Sequence, residues 1–315
     1  MPVRFSVVIP NWNGERFLAT CLGSLRAQTV DNIEVILVDN ASSDGSRALV
    51  ESKFPEVRLI ELEENCGFTG ACNIGLDAAR GEVVALLNND TEVDSAWVDW
   101  VLKAFDQHAE AGIVASKMLL FDRRDRFHTA GDYFTTEGRA GNRGAWELDR
   151  GQYDVGEYVF SACGGSAVYR RSMLDDIGAL DNDFFFLLED IDLAWRAQLA
   201  GYKVWYEPRA VVFHHLSATG GGVTASYHDG RNGVWLLAKN MPSTLFRKYG
   251  RRIFRRQFAL LWESIKAWRG REARARMRGM VVGLLTLPRA LAKRRRIQAG
   301  KRVSDEYIES LLTRV

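Results

Sequence analysis

Apolar residues over the first 120 positions fall into two alternating kinds of run. Short unbroken stretches at residues 5–9, 33–38, 57–62, 83–87 and 112–116 have the length and aliphatic content of strands buried on both faces. Between them, residues 15–28, 43–53, 69–80 and 95–108 carry apolar positions at steps of three and four, the period of an amphipathic helix. Ser42 or Ser43 stands where the N-cap of the second helix belongs. Strands and helices in strict alternation predict βαβ units, and so an α/β fold on a mainly parallel, Rossmann-like sheet with helices on both faces.

The pattern then changes. Residues 117–160 are polar, rich in Gly and Arg and weakly periodic, which reads as a long excursion over the sheet, the kind of segment that builds a site. Regular structure resumes over 158–170, with a helix expected at 190–200 and short strands at 203–206 and 210–213. Beyond about residue 225 the pattern is wholly helical. Within it, Phe254, Phe258, Leu261, Ile265 and Trp268 recur at steps of four and three, one face of a helix. The division expected is a catalytic domain over 1–240 and a basic, amphipathic helical region over 241–315.

Composition changes this picture through charge alone. The chain has 315 residues, 47% of them hydrophobic, and a formal net charge of +2. Residues 240–315 hold 20 Lys and Arg against 5 Asp and Glu, a balance of +15, which leaves −13 for residues 1–239. An acidic body suits carboxylate or metal chemistry, and a basic tail suits an anionic partner. The longest apolar stretch of the tail, 280–288, is far short of the roughly 20 residues of a spanning helix. The apolar run after Met1 is too short for a signal peptide, so a cytoplasmic location is expected. Cys21, Cys66, Cys72 and Cys163 form no CxxC pair, which argues against a zinc site or a disulfide framework.

Open parallel sheets bind ligands beyond the carboxyl ends of their strands. Four successive strand ends here exchange apolar residues for Asn, Asp and Gly: Pro10–Gly14 after the first, Asp39–Gly45 after the second, Asn65–Phe68 after the third and Asn88–Asp90 after the fourth. Each alone reads as turn chemistry; all four together, with acids at the second and fourth, read as one shared site. Asp39 is placed to accept hydrogen bonds from a base or ribose, and Trp12 to stack on a base or to sit on the rim. No GxGxxG follows the first strand and no P-loop occurs, so diphosphate charge must be met otherwise. Asp90 is a hard oxygen ligand suited to Mg²⁺ or Mn²⁺.

A second acidic group, Glu189, Asp190 and Asp192, follows the apolar run 184–188. Acids at a helix start satisfy free N–H groups and oppose the dipole, a full account of Asp192. Glu189 and Asp190 lie against an apolar wall, where a carboxylate has a raised pKa and serves as a general base. His214 and His215 end a strand; neighbours on a strand face opposite ways, so one of them is expected to reach a metal held by Asp90.

The segments VVIPNWNG (7–14), VDNASSDGS (38–46), NCGFTGACNIG (65–75), LLNND (86–90), the stretch 162–196 and the FHH at 213–215 resemble, in that order, family 2 glycosyltransferases of GT-A fold, over residues 4–240. Within the family they look like the rhamnosyltransferase-like enzymes that extend lipid-linked or cell-surface polysaccharides, whose metal motif commonly reads NND where many relatives have DxD. The resemblance implies an inverting, metal-dependent transfer from a nucleotide diphosphate sugar, best matched by dTDP-rhamnose, to a polyprenyl-diphosphate-linked or polysaccharide acceptor. It implies that Trp12 and Asp39 flank the base, with Pro10 and Asn13 shaping its pocket, and that Asp44, Asn65, Gly67 and Phe68 lie near nucleoside and diphosphate. Asn89 and Asp90 match the tail of the metal motif, His214 the histidine that joins the metal, and Asp190 of the Glu189–Asp190 pair the catalytic base. Gly164, Gly165 and Ser166 match a backbone turn near donor sugar and acceptor. Asn88 departs from the usual first Asp, and no QxxRW follows Asp190, which argues against a processive synthase.

Other readings stay open on the residues alone. A UDP-dependent hexosyl- or galactofuranosyltransferase fits the same motifs. A sugar-nucleotide pyrophosphorylase would carry a Gly-rich basic loop where Pro10–Gly14 stands, and a non-catalytic glycan- or membrane-binding protein would not need Asp190. The tail is either a set of helices packed on the catalytic domain or an element of an anionic membrane surface at the inner face of the plasma membrane. No recognition motif supports nucleic acid.

Overall fold

Seven residues of unbroken burial, Phe5–Asn11, form β1, and the sheet grows outward from it. The computed structural model describes residues 3–215 and 221–315. β1 pairs in parallel with β2 (Ile33–Asp39) on one side and β4 (Val83–Leu87) on the other, and β3 (Arg58–Glu61) continues in parallel beyond β2. The helices between them are α1 (Glu15–Arg26), α2 (Ser46–Lys53) and α3 (Gly67–Ala78). α1 buries Leu18, Cys21, Leu22 and Leu25, the spacing of one helical face. After β4 come the short β5 (Thr91–Val93), α4 (Trp97–Gln107) and the long β6 (Ala111–Leu120).

The remaining strands complete a mixed sheet. β7 (Arg123–Thr129) folds back on β6, and β8 (Asp132–Thr135) pairs with β9 (Ala140–Asn142) in a separate small sheet. β10 (Glu157–Val159) and β11 (Ser166–Arg170) return to the main sheet, followed by α5 (Arg171–Ile177), a 3₁₀ turn at Asn182–Phe184, α6 (Glu189–Leu199) and β12 (Lys203–His214). The order is β10-β12-β6-β11-β4-β1-β2-β3. β11 runs antiparallel between β4 and β6, and β12 runs parallel to β6, so most strands still point one way. That insertion brings the start of β11 to the carboxyl end of β4.

The structure moves several boundaries, each for a local reason. α2 begins at Ser46 with no serine cap: Asp44 accepts from Ser46 N, while Ser42 and Ser43 are drawn to Asn13. β6 runs past Ser116 because Lys117, which breaks the apolar pattern, is buried and ion-paired with Asp149 at 2.6 Å and Asp154 at 2.8 Å. The two expected strands at 203–206 and 210–213 are one strand with a register shift between Glu207 and Val211; Pro208 has no N–H to give the ladder there.

Two apolar layers cover the sheet, one under α1, α2 and α4, the other under α3, α5 and α6. The chain then runs through α7 (Gly222–Asn240), α8 (Ser243–Lys266), α9 (Arg271–Leu285), α10 (Leu287–Ala299), α11 (Asp305–Leu311) and β13 (Leu312–Thr313). A third core joins these helices to the body: Phe134, Trp195 and Phe184 pack with Trp235, Met241, Ile253 and Ile308. β13 pairs in parallel with β8. Among the described residues no helix is long and apolar enough to cross a membrane.

Candidate active site

The tips of β1 and β2 are laced together by polar side chains. Asp39 is fully buried; its carboxylate accepts from Asn11 Nδ2 at 3.0 Å, Ser42 N at 3.1 Å and Arg47 Nε at 2.7 Å. Burial alone would raise its pKa, but the hydrogen bonds from Ser42, Arg47 and Asn11 hold it below the usual carboxylate value, so Asp39 is a fixed negative charge with an acceptor position left on Oδ1. Pro10 is buried in β1 opposite Val38, and Trp12 stands half exposed at the rim. Asn13 takes a positive φ of 53° and accepts from Ser43 N at 2.8 Å. Asp44 bonds two helix starts, Glu15 N at 3.0 Å and Ser46 N at 3.1 Å, and remains exposed.

Asn40 was not singled out in the sequence, yet it ties this edge to the next loop. It donates to Asn65 Oδ1 and Gly67 O and accepts from Cys66 N. Gly67 is required here: its φ is +80°, and a Cβ would lie 2.5 Å from the Phe185 ring. Phe68 is half-buried beside it.

Asn89 points inward, 5% exposed, and donates to Asn11 Oδ1 at 2.7 Å, so it braces β1 from below. Asp90 is buried and its Oδ1 has no hydrogen-bond partner. His214 Nε2 lies 3.1 Å from that oxygen, outside hydrogen-bond geometry. The two meet because β5, directly after Asp90, pairs with the end of β12. His215 faces away and stacks on Phe121. A second histidine completes the group: His128 Nδ1 lies 3.1 Å from His214 Nδ1, and burial, then His214, push its pKa down to about 3. With a neutral His128 accepting from His214 Nδ1, it is His214 Nε2 whose lone pair lies beside the orphaned Asp90 oxygen, 3.5 Å from the Asn88 side-chain amide. Two lone pairs facing each other fit a cation between them, and one hard oxygen with one imidazole nitrogen suits Mg²⁺ or Mn²⁺.

The third part of the site lies across β11. Asn88 N donates to Gly165 O at 3.0 Å, which sets the Gly164–Gly165 turn beside the metal-type residues. Gly164 N donates to Asp190 Oδ2 at 2.8 Å, and Ile191 N to Oδ1 at 2.7 Å. Burial raises the Asp190 pKa against these bonds. Glu189 is buried with Oε2 unpartnered, and burial followed by the charge of Asp190 pushes it upward too. The loop before this pair is strained: Phe185, Leu187 and Leu188 have φ of 61°, 67° and 66°. Asn232 on α7 holds it, donating to the carbonyls of Phe184, Phe186 and Leu187, with Arg231 on those of Asp183 and Phe184. Asp192 neither caps nor faces the site: buried, it pairs with Lys239 and Arg196.

Asp132 is a residue that the sequence reading missed. Its carboxylate, the Cys163 thiol and Asp190 place one donor atom each within 4.8 Å of one another. Burial, then Asp190, push Asp132 up to about 8, and burial raises Cys163 well above a free thiol. A protonated thiol is a poor partner for Mg²⁺ or Mn²⁺, so the cation-type locus is Asp90 with His214, and Asp132 belongs to the surroundings of Asp190.

Comparisons with known proteins bear on the family and the fold. A family model described as glycosyl transferase family 2 matches residues 6–178. The chain is 27% identical over 255 residues to the N-acetylglucosaminyl-diphospho-decaprenol L-rhamnosyltransferase of Mycobacterium tuberculosis, covering 72% of this chain and 80% of that protein. It is 26% identical over 220 residues to the poly-beta-1,6-N-acetyl-D-glucosamine synthase of Staphylococcus epidermidis, covering 69% of this chain and 51% of that one, so it spans about half the length of this relative. Among solved structures, S. aureus TarS 1–349 in complex with UDP superposes with a TM-score of 0.58 at 18% identity, covering 98% of this chain and 91% of that one. Mannosyltransferase PcManGT from Pyrobaculum calidifontis, in complex with GDP-Man and Mn²⁺, gives 0.56 at 19% identity, covering 98% and 83%. At those identities the structural likeness is one of fold, the GT-A fold. With the family match extending over more than half of the sequence, the chain belongs to glycosyl transferase family 2.

Proposed function

We propose that this enzyme transfers rhamnose from dTDP-rhamnose, with inversion at the anomeric carbon, to a hydroxyl of a lipid-linked or cell-surface glycan, working in the cytoplasm at the anionic inner face of the plasma membrane. The observation that carries the reading is the meeting of two unlike loci at one sheet edge: the orphaned Asp90 oxygen with His214, and the amide-held Asp190 across the Gly164–Gly165 turn. The rhamnosyltransferase relative supports the choice of sugar and of a lipid-borne acceptor.

In this reading Trp12, Asn13 and Asp39 receive the nucleoside, with Pro10, Asp44, Asn65, Gly67 and Phe68 shaping the walls around nucleoside and diphosphate. Asp90 and His214 hold a divalent cation, braced by Asn89 and His128. When bound, Mg²⁺ or Mn²⁺ supplies positive charge to the leaving diphosphate. Asp190 takes the proton of the attacking hydroxyl, fixed in direction by the amides of Gly164 and Ile191. Glu189 and Gly165 line the same edge, where burial of Glu189 keeps charge low until the acceptor arrives. Attack from the face opposite the diphosphate needs no covalent intermediate.

A panel of nucleotide sugars scored by thermal shift, with and without Mn²⁺, tests this. dTDP-rhamnose is expected to give the largest shift, dependent on metal in the wild type and independent of it in Asp90→Ala. A dominant shift with a UDP-hexose would replace the donor by the runner-up, which the poly-N-acetylglucosamine synthase relative favours.

A further inference from the structure

α8 has two apolar faces, and one of them is uncovered. At about 100° per residue, Leu245, Tyr249, Ile253, Leu260 and Ser264 point one way, and these are the buried positions of the helix. Phe254, Phe258, Trp262 and Ile265 fall in a stripe about 80° wide on roughly the opposite side. Phe254 and Phe258 are 67% and 65% exposed, Trp262 and Ile265 nearly half, and Trp268 continues the row past the helix end at 58%. Four large apolar side chains left partly in water forgo the gain of burial. An isolated exposed Phe needs no explanation; a contiguous stripe does.

The charges around the stripe name its partner. Arg247, Arg251 and Arg255 fall on or beside the same stripe, are exposed, and have no carboxylate within ion-pair distance among the described residues. Several other tail cations are matched, Lys293 with Asp181, Lys248 with Glu309 and Arg302 with Asp176. Arg247, Arg251 and Arg255 instead share one face with the unburied aromatics. Aromatic rings that sit at headgroup depth, flanked by guanidinium groups that stay in the polar layer, are the chemistry of an anionic lipid surface.

We propose that this outer face of α8 is the membrane-docking surface of the enzyme, lying flat on an anionic bilayer with Phe254, Phe258, Trp262 and Ile265 in the interface and Arg247, Arg251 and Arg255 on the headgroups. It deepens the functional reading, from which it takes a lipid-borne acceptor, by naming the element that meets the lipid. The body stays on the opposite side of α8, tethered through Leu245, Tyr249 and Ile253.

Flotation with phosphatidylcholine vesicles, alone or with roughly one-third phosphatidylglycerol, tests it. Wild-type protein is expected to float with the anionic vesicles at low salt, to release at high salt as screening sets in, and to stay down with neutral ones. The double variant Phe258→Glu with Trp262→Glu should lose flotation while keeping its melting temperature and nucleotide-sugar shift, since both positions are exposed. Arg251→Gln with Arg255→Gln should weaken binding by about 5-fold per arginine. A wild type that ignores anionic vesicles, or a double variant that floats as well as wild type, overturns the proposal, and the first result would leave a protein partner as the cover of this face. Flotation requires no donor, so its failure leaves sugar transfer standing, and a failed donor panel leaves this surface standing.

Discussion

Asp190 is subject to two opposed influences, burial that raises its pKa and amides that lower it, and burial prevails. A general base acts only when ionised. The kcat/KM of the enzyme is therefore expected to climb with pH through a step above the ordinary carboxylate range, and a profile already flat from about pH 5 would remove Asp190 from that role. Asp190→Asn should lower turnover by about 100-fold or more with nucleotide-sugar binding intact; full activity in that variant would remove Asp190 as the base. Asp132 gives a stability signature of its own. Its folded value of about 8 lies above that of an unfolded aspartate, so the folded chain binds the extra proton and loses stability as pH rises between the two. Asp132→Asn keeps an acceptor for Thr129 without the charge, and should soften the fall in melting temperature from pH 5 to 8; Glu189 and Asp190 account for the slope that remains. An unchanged slope would show Asp132 to be no part of it. Asp90 and Asp190 are legible in the sequence because each breaks an apolar run at a point where periodicity ends. Asp132 and His128 are not, because only the return of the excursion over the sheet brings them to the edge.

At the scale of elements, β1–β4, β6 and α1–α4 follow from hydrophobic period, since apolar strands and stepped helices leave few alternatives; the three-residue β5 that brings Asp90 to His214 does not. What the period misses is polar residues that become interior: Lys117 looks like the end of a strand and is instead neutralised by two aspartates in the middle of β6. The loop 184–188 is the other case. Its run of apolar residues suggests a wall, but not three left-handed residues held by Asn232 and Arg231 of α7. Asn232→Ala leaves the part-buried carbonyls of Phe186 and Leu187 without that donor, while Phe184 O keeps Arg231, a loss of about 1–3 kcal/mol per group left unsatisfied. The expected result is a destabilised enzyme whose kcat falls more than its donor affinity, because the loop runs directly into Glu189 and Asp190 and meets the proposed nucleotide wall only where Phe185 touches Gly67 and Thr69. Equal losses in kcat and affinity would assign Asn232 a general structural role.

For the whole molecule, the division of charge between body and tail turns out to be partly internal. Lys239 is buried against Asp181 and Asp192 at the end of the body, and Lys293 of the tail reaches Asp181 and Asp183, so the tail helps to neutralise acids beside the loop 184–188. Lys239→Met leaves Asp181 with Lys293 and Asp192 with Arg196 and Asn240 but removes the cation between them, at a cost of about 1–3 kcal/mol. Chemical denaturation should show that loss, and a loss below about 1 kcal/mol would mean the pair contributes little. The sequence displays the sign of the tail but not this use of it, since ion pairs between positions far apart in the chain leave no local pattern. The α8 stripe is the reverse case: its period is plain in the sequence, and which way it faces is decided by the packing of its other side.

The pairing of β13 with β8 has a consequence in time. Phe134 waits for Leu312, and contacts of such long separation form late in folding. During synthesis the strand tips that bear Asp39 and Asp90 emerge and pack well before the wall carrying Asp132 is closed. His214 also emerges after these tips, so the orphaned Asp90 oxygen stands without its histidine until β12 pairs with β5.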